Sequence, residues 1–294
     1  MFKVRKIDID CSNELVCILN EKDAKKLSLY PRQRIKIINP QNQKQIICVL
    51  EILNSHNKNL IDLKENEIGL YNRAYSKLDT KEKRELKLLP AEKPKSLEYV
   101  KEKISGKRLD LKKFNEIILD IVENKFSEIE TTFFLVACTV NPLNDSETIA
   151  LTKAMTNVGQ TLNFQKKDDD IIIDKHCIGG LPGNRTSMVV VPIIAACGLK
   201  IPKSSSRAIT SPAGTADTME VLSNVEVPLT KMYNEVEDIN GCLVWGGALN
   251  LSPADDLIIK VEHPLEIDSE GQMIASILSK KKRVGSTHVL IDIP

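Results

Sequence analysis

The segment Asp170–Cys197 constrains this chain more than any other. A short apolar stretch, DIIID at Asp170–Asp174, runs into KHCIGGLPGNRTS at Lys175–Ser187 and then into an apolar run, Met188–Cys197, of helical length. A strand that delivers a glycine-rich loop to the start of a helix is where α/β sheets hold their ligands. Glycines let backbone N–H groups approach an anion, a helix start adds unpaired donors, and Lys175 adds a full charge. The loop is not a nucleoside-triphosphate P-loop, because Asn184 stands where the second glycine is required and no lysine follows. On these residues alone, a tight turn that needs glycine explains the loop equally well. The pattern predicts a strand at Asp170–Asp174 and a buried helix over Met188–Cys197.

A second polar stretch, KSSSRAITSPAGT at Lys203–Thr215, interleaves small hydroxyl residues with Arg207. Such groups donate to phosphate oxygens and ribose hydroxyls from several directions. Thr215 also fits the cap of a helix over Ala216–Leu222. Further on, Asp268 precedes a predicted helix, Ser269–Lys282, and suits its N-cap. Ser276 and Lys280 stand four apart, on one face of that helix. The basic run Lys280–Arg283 reads by itself as the solvated last turn of the helix.

The rest of the chain organises around these stretches. Phe2–Ile9, Arg34–Ile38 and Gln45–Leu53 alternate as half-buried strands do, so residues 1–85 form a small β-rich domain, read as a packing or assembly module. Phe114, Ile117, Ile118, Ile121 and Val122 make one apolar helical face within Asp110–Ser127. Asn144 and Glu147 have capping-box spacing ahead of a helix over Ile149–Val158. A formal net charge of +1 and 4% aromatic residues argue against a nucleic-acid binder. Seven scattered cysteines with no C-x-x-C pair indicate reduced thiols, with neither a disulfide framework nor a zinc site. No apolar run reaches membrane-spanning length and the N-terminus has no signal-peptide core, so a cytoplasmic protein without membrane partners is expected.

Together the two loops, and EHPLEIDSEGQMIASILSKK at Glu262–Lys281, resemble the thymidine/AMP phosphorylase family, from about Phe2 to Pro294. The resemblance implies a multidomain α/β fold: a β-rich N-terminal domain, a helical domain from 96–160 and 252–283, and the first part of an α/β domain with a central sheet from 170–250 and 284–294. It implies phosphate held near Lys175, Gly179, Gly180, Ser187, Ser205 and Thr215. Nucleotide contacts map to Gly180, to Ser206, Arg207, Ala208, Ile209, Thr210 and Ser211, and to Thr215 and Ser276. The base would meet Ser276 and Lys280, with His176 between the domains. The implied reaction is phosphorolysis of a nucleoside or nucleoside 5′-monophosphate, with Asp268 as general acid and inorganic phosphate as co-substrate, needing neither metal nor redox cofactor.

Two departures, SRAITSPAGT at Ser206–Thr215 and Val261 where thymidine-type members carry arginine, favour the AMP-type branch. Cys177 replaces a common serine and removes a hydroxyl donor. A homo-oligomer is expected. The competing reading is a non-catalytic nucleotide-binding or assembly module. Finally, HVLIDI at His288–Ile293 reads as a buried strand just before Pro294. That position leads us to expect an incomplete version of the fold, with exposed apolar surface and weak or absent phosphorolysis.

Overall fold

The computed structural model of the chain describes residues 1–11, 14–54, 61–164, 170–177, 185–207, 213–249, 251–267 and 269–293. The chain divides into two compact units, Met1–Pro94 with Glu123–Ser127, and Lys95–Val122 with Glu128–Pro294.

The first unit is a closed barrel. Its strands are β1 (Phe2–Ile7), β2 (Val16–Asn20), β3 (Arg34–Ile38), β4 (Gln45–Leu53), β5 (Glu67–Tyr71) and β6 (Glu85–Pro90), in the spatial order β1-β5-β2-β4-β3-β6. Closure removes the free edges that would otherwise pair with other chains. Alternation fills the interior: Ile35 and Ile37 from β3, and Ile46, Cys48 and Leu50 from β4, point into one core with Cys17, Leu19, Ile68 and Leu70. Gly69 is needed where β5 passes β1, because a Cβ there would lie 2.9 Å from Ile7 Cγ1. Two short helices, α1 (Glu21–Lys26) and α2 (Asn72–Leu78), follow β2 and β5, and the Asn20 side chain caps α1 by accepting from the Asp23 N–H at 2.9 Å. The sixth strand begins at Glu85, so the β-rich unit reaches past the expected limit of residue 85.

In the second unit, α3 (Ser96–Ile104), α4 (Leu111–Val122), α5 (Glu128–Val140) and α6 (Asp145–Asn157) pack as a helical body. Phe114, Ile117, Ile118 and Ile121 are the buried stripe of α4. The capping box is present: Asn144 Oδ1 accepts from the Glu147 N–H at 2.9 Å, and Glu147 Oε2 accepts from the Asn144 N–H at 3.2 Å. The chain then builds β7 (Ile173–Cys177), α7 (Thr186–Ala196), β8 (Ile201–Ser205), α8 (Thr215–Glu220), α9 (Leu229–Ile239) and β9 (Gly241–Trp245). Two more helices, α10 (Pro253–Leu265) and α11 (Glu270–Val284), return to the helical body, where α11 runs along α6. Last comes β10 (His288–Asp292), parallel to β7, while β8 is parallel to β9 and an isolated parallel bridge from Ile172 to Lys200 links the two pairs. No helix among the described residues is long and apolar enough to cross a membrane.

Five expectations need correction. The strand lies at Ile173–Cys177 and not at Asp170–Asp174, because pairing with β10 runs from Ile173 to Cys177; Lys175 and His176 are therefore strand residues. The apolar helix α7 buries only one side, with Val189 and Ile193 more than half exposed. The strand β10 forms but is not buried: among the described residues its only strand partner is β7, and Val289 and Leu290 are exposed. Gly214, not Thr215, caps α8, and its N–H donates to Asp217 Oδ2 at 2.9 Å. The run Lys280–Arg283 is not solvated, since Lys281 and Arg283 are buried and Lys280 is mostly covered.

Candidate active site at the carboxyl ends of the parallel strands

The carboxyl halves of β7 and β8 bring buried charge together. Asp174 and Lys175 on β7 and Lys203 on β8 are all buried, and Lys281 of α11 is buried beside them. Burying charge is costly unless it is paired. Three of the ammonium groups here meet that demand with carboxylates. Lys175 Nζ stands 2.7 Å from Asp292 Oδ2 on β10, Lys281 Nζ stands 2.8 Å from Asp174 Oδ2, and Lys280 Nζ stands 2.5 Å from Asp255 Oδ2 on α10. These are close charge contacts that are not aligned hydrogen bonds: Lys175 Nζ, Asp174 Oδ2 and Asp255 Oδ2 have no well-directed partner among the described residues. Lys203 differs. Its Nζ donates to the neighbouring carbonyl of Ser204 at 2.5 Å and meets no carboxylate among the described residues.

This environment decides protonation. Burial, and then the ammonium groups of Lys281, Lys203, Lys280 and Lys175, push the His176 imidazole down to about 2, so it is neutral at physiological pH. Burial, with Lys281 as the next cause, lowers the Lys203 ammonium to about 7. On α10, burial and then the neighbouring Asp255 raise the Asp256 carboxyl to about 6. Asp292 moves the other way, held below the usual carboxylate range by its bond with Lys175.

Of the expected site residues, the structure gathers Lys175, His176 and Lys280 in this cluster. Ser276 lies one turn before Lys280 on α11. Ser187 is buried in the first turn of α7, Ser205 ends β8 with its hydroxyl 3.4 Å from the Ser206 carbonyl, and Thr215 begins α8. Gly179, Gly180, Ala208, Ile209, Thr210, Ser211 and Asp268 lie outside the described residues. Arg207 is placed differently from the expectation that its charge faces a ligand. Its guanidinium reaches Asp217 at 3.1 Å, Glu220 at 2.6 Å and Glu226 at 3.1 Å, and it stacks on Trp245 at 4.7 Å from the ring centre. The side chain thus ties α8 and the segment after it to the end of β9.

No local motif in the sequence marks Lys203, Lys281, Asp174, Asp255, Asp256 or Asp292 as a site residue. A signal existed for Lys203: IPKSS, after the glycine that follows an apolar helix, is a strand continuing a β-α-β unit, and a parallel strand is buried on both faces.

Residues 97–159 match the helical bundle domain of a glycosyl transferase family, and residues 169–280 match the a/b domain of the same family. The chain belongs to this glycosyl transferase family. Its cluster lies within the matched a/b region except for Lys281 and Asp292. A protein of Albidiferax ferrireducens named "Putative thymidine phosphorylase" is 44% identical over 291 residues, 99% of this chain and 54% of the relative. A namesake from Legionella pneumophila (strain Paris) is 48% identical over 252 residues, 86% of this chain and 47% of the relative. "Putative thymidine phosphorylase 1" of an Acidovorax species is 55% identical over 199 residues, 68% of this chain and 38% of the relative. The chain spans about half the length of the curated relatives it matches. Among solved structures, anthranilate phosphoribosyltransferase (TrpD) from Thermus thermophilus shares the fold, with a TM-score of 0.55 and 21% identity over 66% of this chain and 57% of that chain.

Proposed function

We propose that this chain carries the phosphate- and nucleotide-binding part of a phosphorylase that cleaves the N-glycosidic bond of a nucleoside or nucleoside 5′-monophosphate. The observation that supports the reading best is the buried group of lysines around a neutral His176 at the carboxyl ends of β7 and β8. Family membership and the names of the relatives point to the same chemistry. In the reaction a phosphate oxygen forms a bond to the anomeric carbon as the carbon–nitrogen bond breaks. The base leaves with the electron pair, and the sugar carries oxocarbenium character between the two events.

Each step asks something of the chain. Lys175, the N–H groups around Gly179 and Gly180, and the hydroxyls of Ser187, Ser205 and Thr215 would orient the nucleophile, which is catalysis by proximity. Ser276 and Lys280, one turn apart on α11, would face the base. Asp268 would protonate the leaving nitrogen. Neutral His176 would donate or accept a hydrogen bond between ribose and base without adding charge. The products are free base and ribose 1-phosphate, deoxyribose 1-phosphate or ribose 1,5-bisphosphate, according to the substrate. Ser206–Thr215 and Val261 favour AMP, CMP or UMP over thymidine.

The test is a panel of nucleosides and 5′-monophosphates incubated with this chain and inorganic phosphate. Phosphate-dependent release of free base above the uncatalysed control supports the reading. Nucleotide binding without release would sink it in favour of a binding module. Where release is seen, Asp268→Asn should keep substrate binding and lower turnover by about a hundredfold or more.

A further inference from the structure

Lys203 stands on β8, buried at 3% exposure, in the middle of the cluster and, among the described residues, without the carboxylate that each neighbouring lysine has. The charged groups acting on it most strongly are Lys281, Asp174, Lys175 and Lys280. Three of these are ammonium groups, and the one carboxylate, Asp174, is already in contact with Lys281. A single hydrogen bond to the Ser204 carbonyl does not offset the cost of burying an ammonium group. The excess of positive charge is therefore local and enclosed. Charge of this kind is worth most to a ligand that brings the missing negative charge and several acceptor oxygens.

We propose that Lys203 is a further anion-binding residue of this site, supplying to the incoming phosphate the positive charge of this cluster that, among the described residues, the Lys175–Asp292, Lys281–Asp174 and Lys280–Asp255 pairs leave uncancelled. The inference rests on the phosphorolysis reading for the identity of the anion. Its physical basis, an ammonium group without a counter-charge among three that have one, is independent of it. A consequence follows for protons. A dianion beside Lys203 holds the ammonium protonated, so binding draws a proton onto it in the range where the side chain otherwise loses one, about 7 and above. Other groups face Lys203 as well. His176 of β7 stays neutral there, and the buried Cys242 thiol of β9 is pushed up to about 12, so neither changes charge in that range.

The experiment measures calorimetric binding of inorganic phosphate, and of sulfate as an anion whose charge does not change near neutrality, to the parent chain and to Lys203→Met. The variant should bind both anions about tenfold or more weakly. It should also melt no lower than the parent, because an apolar isostere relieves a buried charge. A structural role would instead lower the melting temperature and leave anion affinity unchanged in the folded fraction. Should the variant fail to fold, the parent answers alone. Its sulfate affinity should fall with pH above about 7, and sulfate binding should take up protons when compared across buffers of different ionisation enthalpy. Equal affinities in the two proteins, or a flat sulfate profile in the parent, overturn the assignment of Lys203 and leave Lys175 and the glycine loop as the phosphate site. A parent that binds neither anion overturns both this inference and the phosphate site of the proposed reaction.

Discussion

The barrel and the α/β part of the second unit solve burial in opposite ways. Among the described residues the barrel buries one charged side chain, Asp23, whose carboxylate accepts from the Asn20 side chain at 2.6 Å. The second unit buries eight: Lys103, Glu147, Asp174, Lys175, Lys203, Asp255, Lys281 and Arg283. The barrel's interior is aliphatic, its strands alternate, and its ion pairs sit in solvent, where each contributes little. In the second unit, charge has been drawn inside, and among the described residues all of it but Lys203 and Arg283 is paired with opposite charge at least 25 residues away in sequence. Apolar burial is the cheaper route to stability. A body that buries charge in its place gives up stability to do so, a cost that the binding role proposed for the second unit accounts for.

Breaking a buried pair should show the contrast most strongly. Asp174→Asn removes the counter-charge of Lys281 and should destabilise the second unit by about 3–5 kcal/mol. Hydrogen exchange resolved by segment checks this, with protection lost along β7, β8 and α11 and kept in the barrel strands. Equal loss in both units would mean that the two are not separate in stability. In the barrel, Leu70→Ala should cost about 2–5 kcal/mol through lost apolar contact and the cavity left behind. Denaturant unfolding measures that loss, and phosphate binding should survive it below the transition.

A third prediction concerns pH. The Lys203 ammonium is lowered to about 7 in the folded chain from an ordinary value of 10.5, so between these values the unfolded chain binds the extra proton. Stability contributed through this group is therefore lowest below about 7 and is regained as pH rises toward the unfolded value, with a slope of at most about 1.4 kcal/mol per pH unit. The stability advantage of Lys203→Met over the parent should shrink across that range, and an advantage independent of pH would refute it. On the acid side, His176 favours unfolding as pH falls below its ordinary 6.5, while Asp256, raised to about 6, opposes this. The alkaline window is thus the cleaner one. The smallest effect belongs to the barrel surface: Lys25→Ala breaks an exposed i,i+4 pair with Glu21 and should change stability by about 0.5 kcal/mol or less.

The barrel was the more legible half. Strands such as Arg34–Ile38 and Gln45–Leu53 carry their burial in their own alternation; in the second unit the Asn144–Glu147 box was legible for a similar reason, since its hydrogen bonds close within three residues. Of the cluster's members, Lys175 was marked by its loop motif, and His176 and Lys280 by the family resemblance alone. The site was not legible at Lys281, which lies within a basic run and whose partner Asp174 is more than a hundred residues earlier. Nor could local signals place Arg207, because a loop arginine among hydroxyls suits a phosphate as well as it suits Asp217, Glu220 and Glu226. Charge partners across long sequence separations are set by the fold, which local periodicity does not encode.

The path of the chain through the second unit has a consequence for its birth on the ribosome. The helix α6 ends at Asn157, and its long neighbour α11 begins only at Glu270. At roughly 5–20 residues per second, the interval between them lasts on the order of ten seconds of synthesis. Throughout that interval the face of α6 that α11 will cover waits without its neighbour while the intervening strands emerge. The barrel, complete once Pro90 has cleared the exit tunnel, faces no such delay. Nascent chains paused between these two helices should therefore recruit chaperones to α6, while their barrel is already folded.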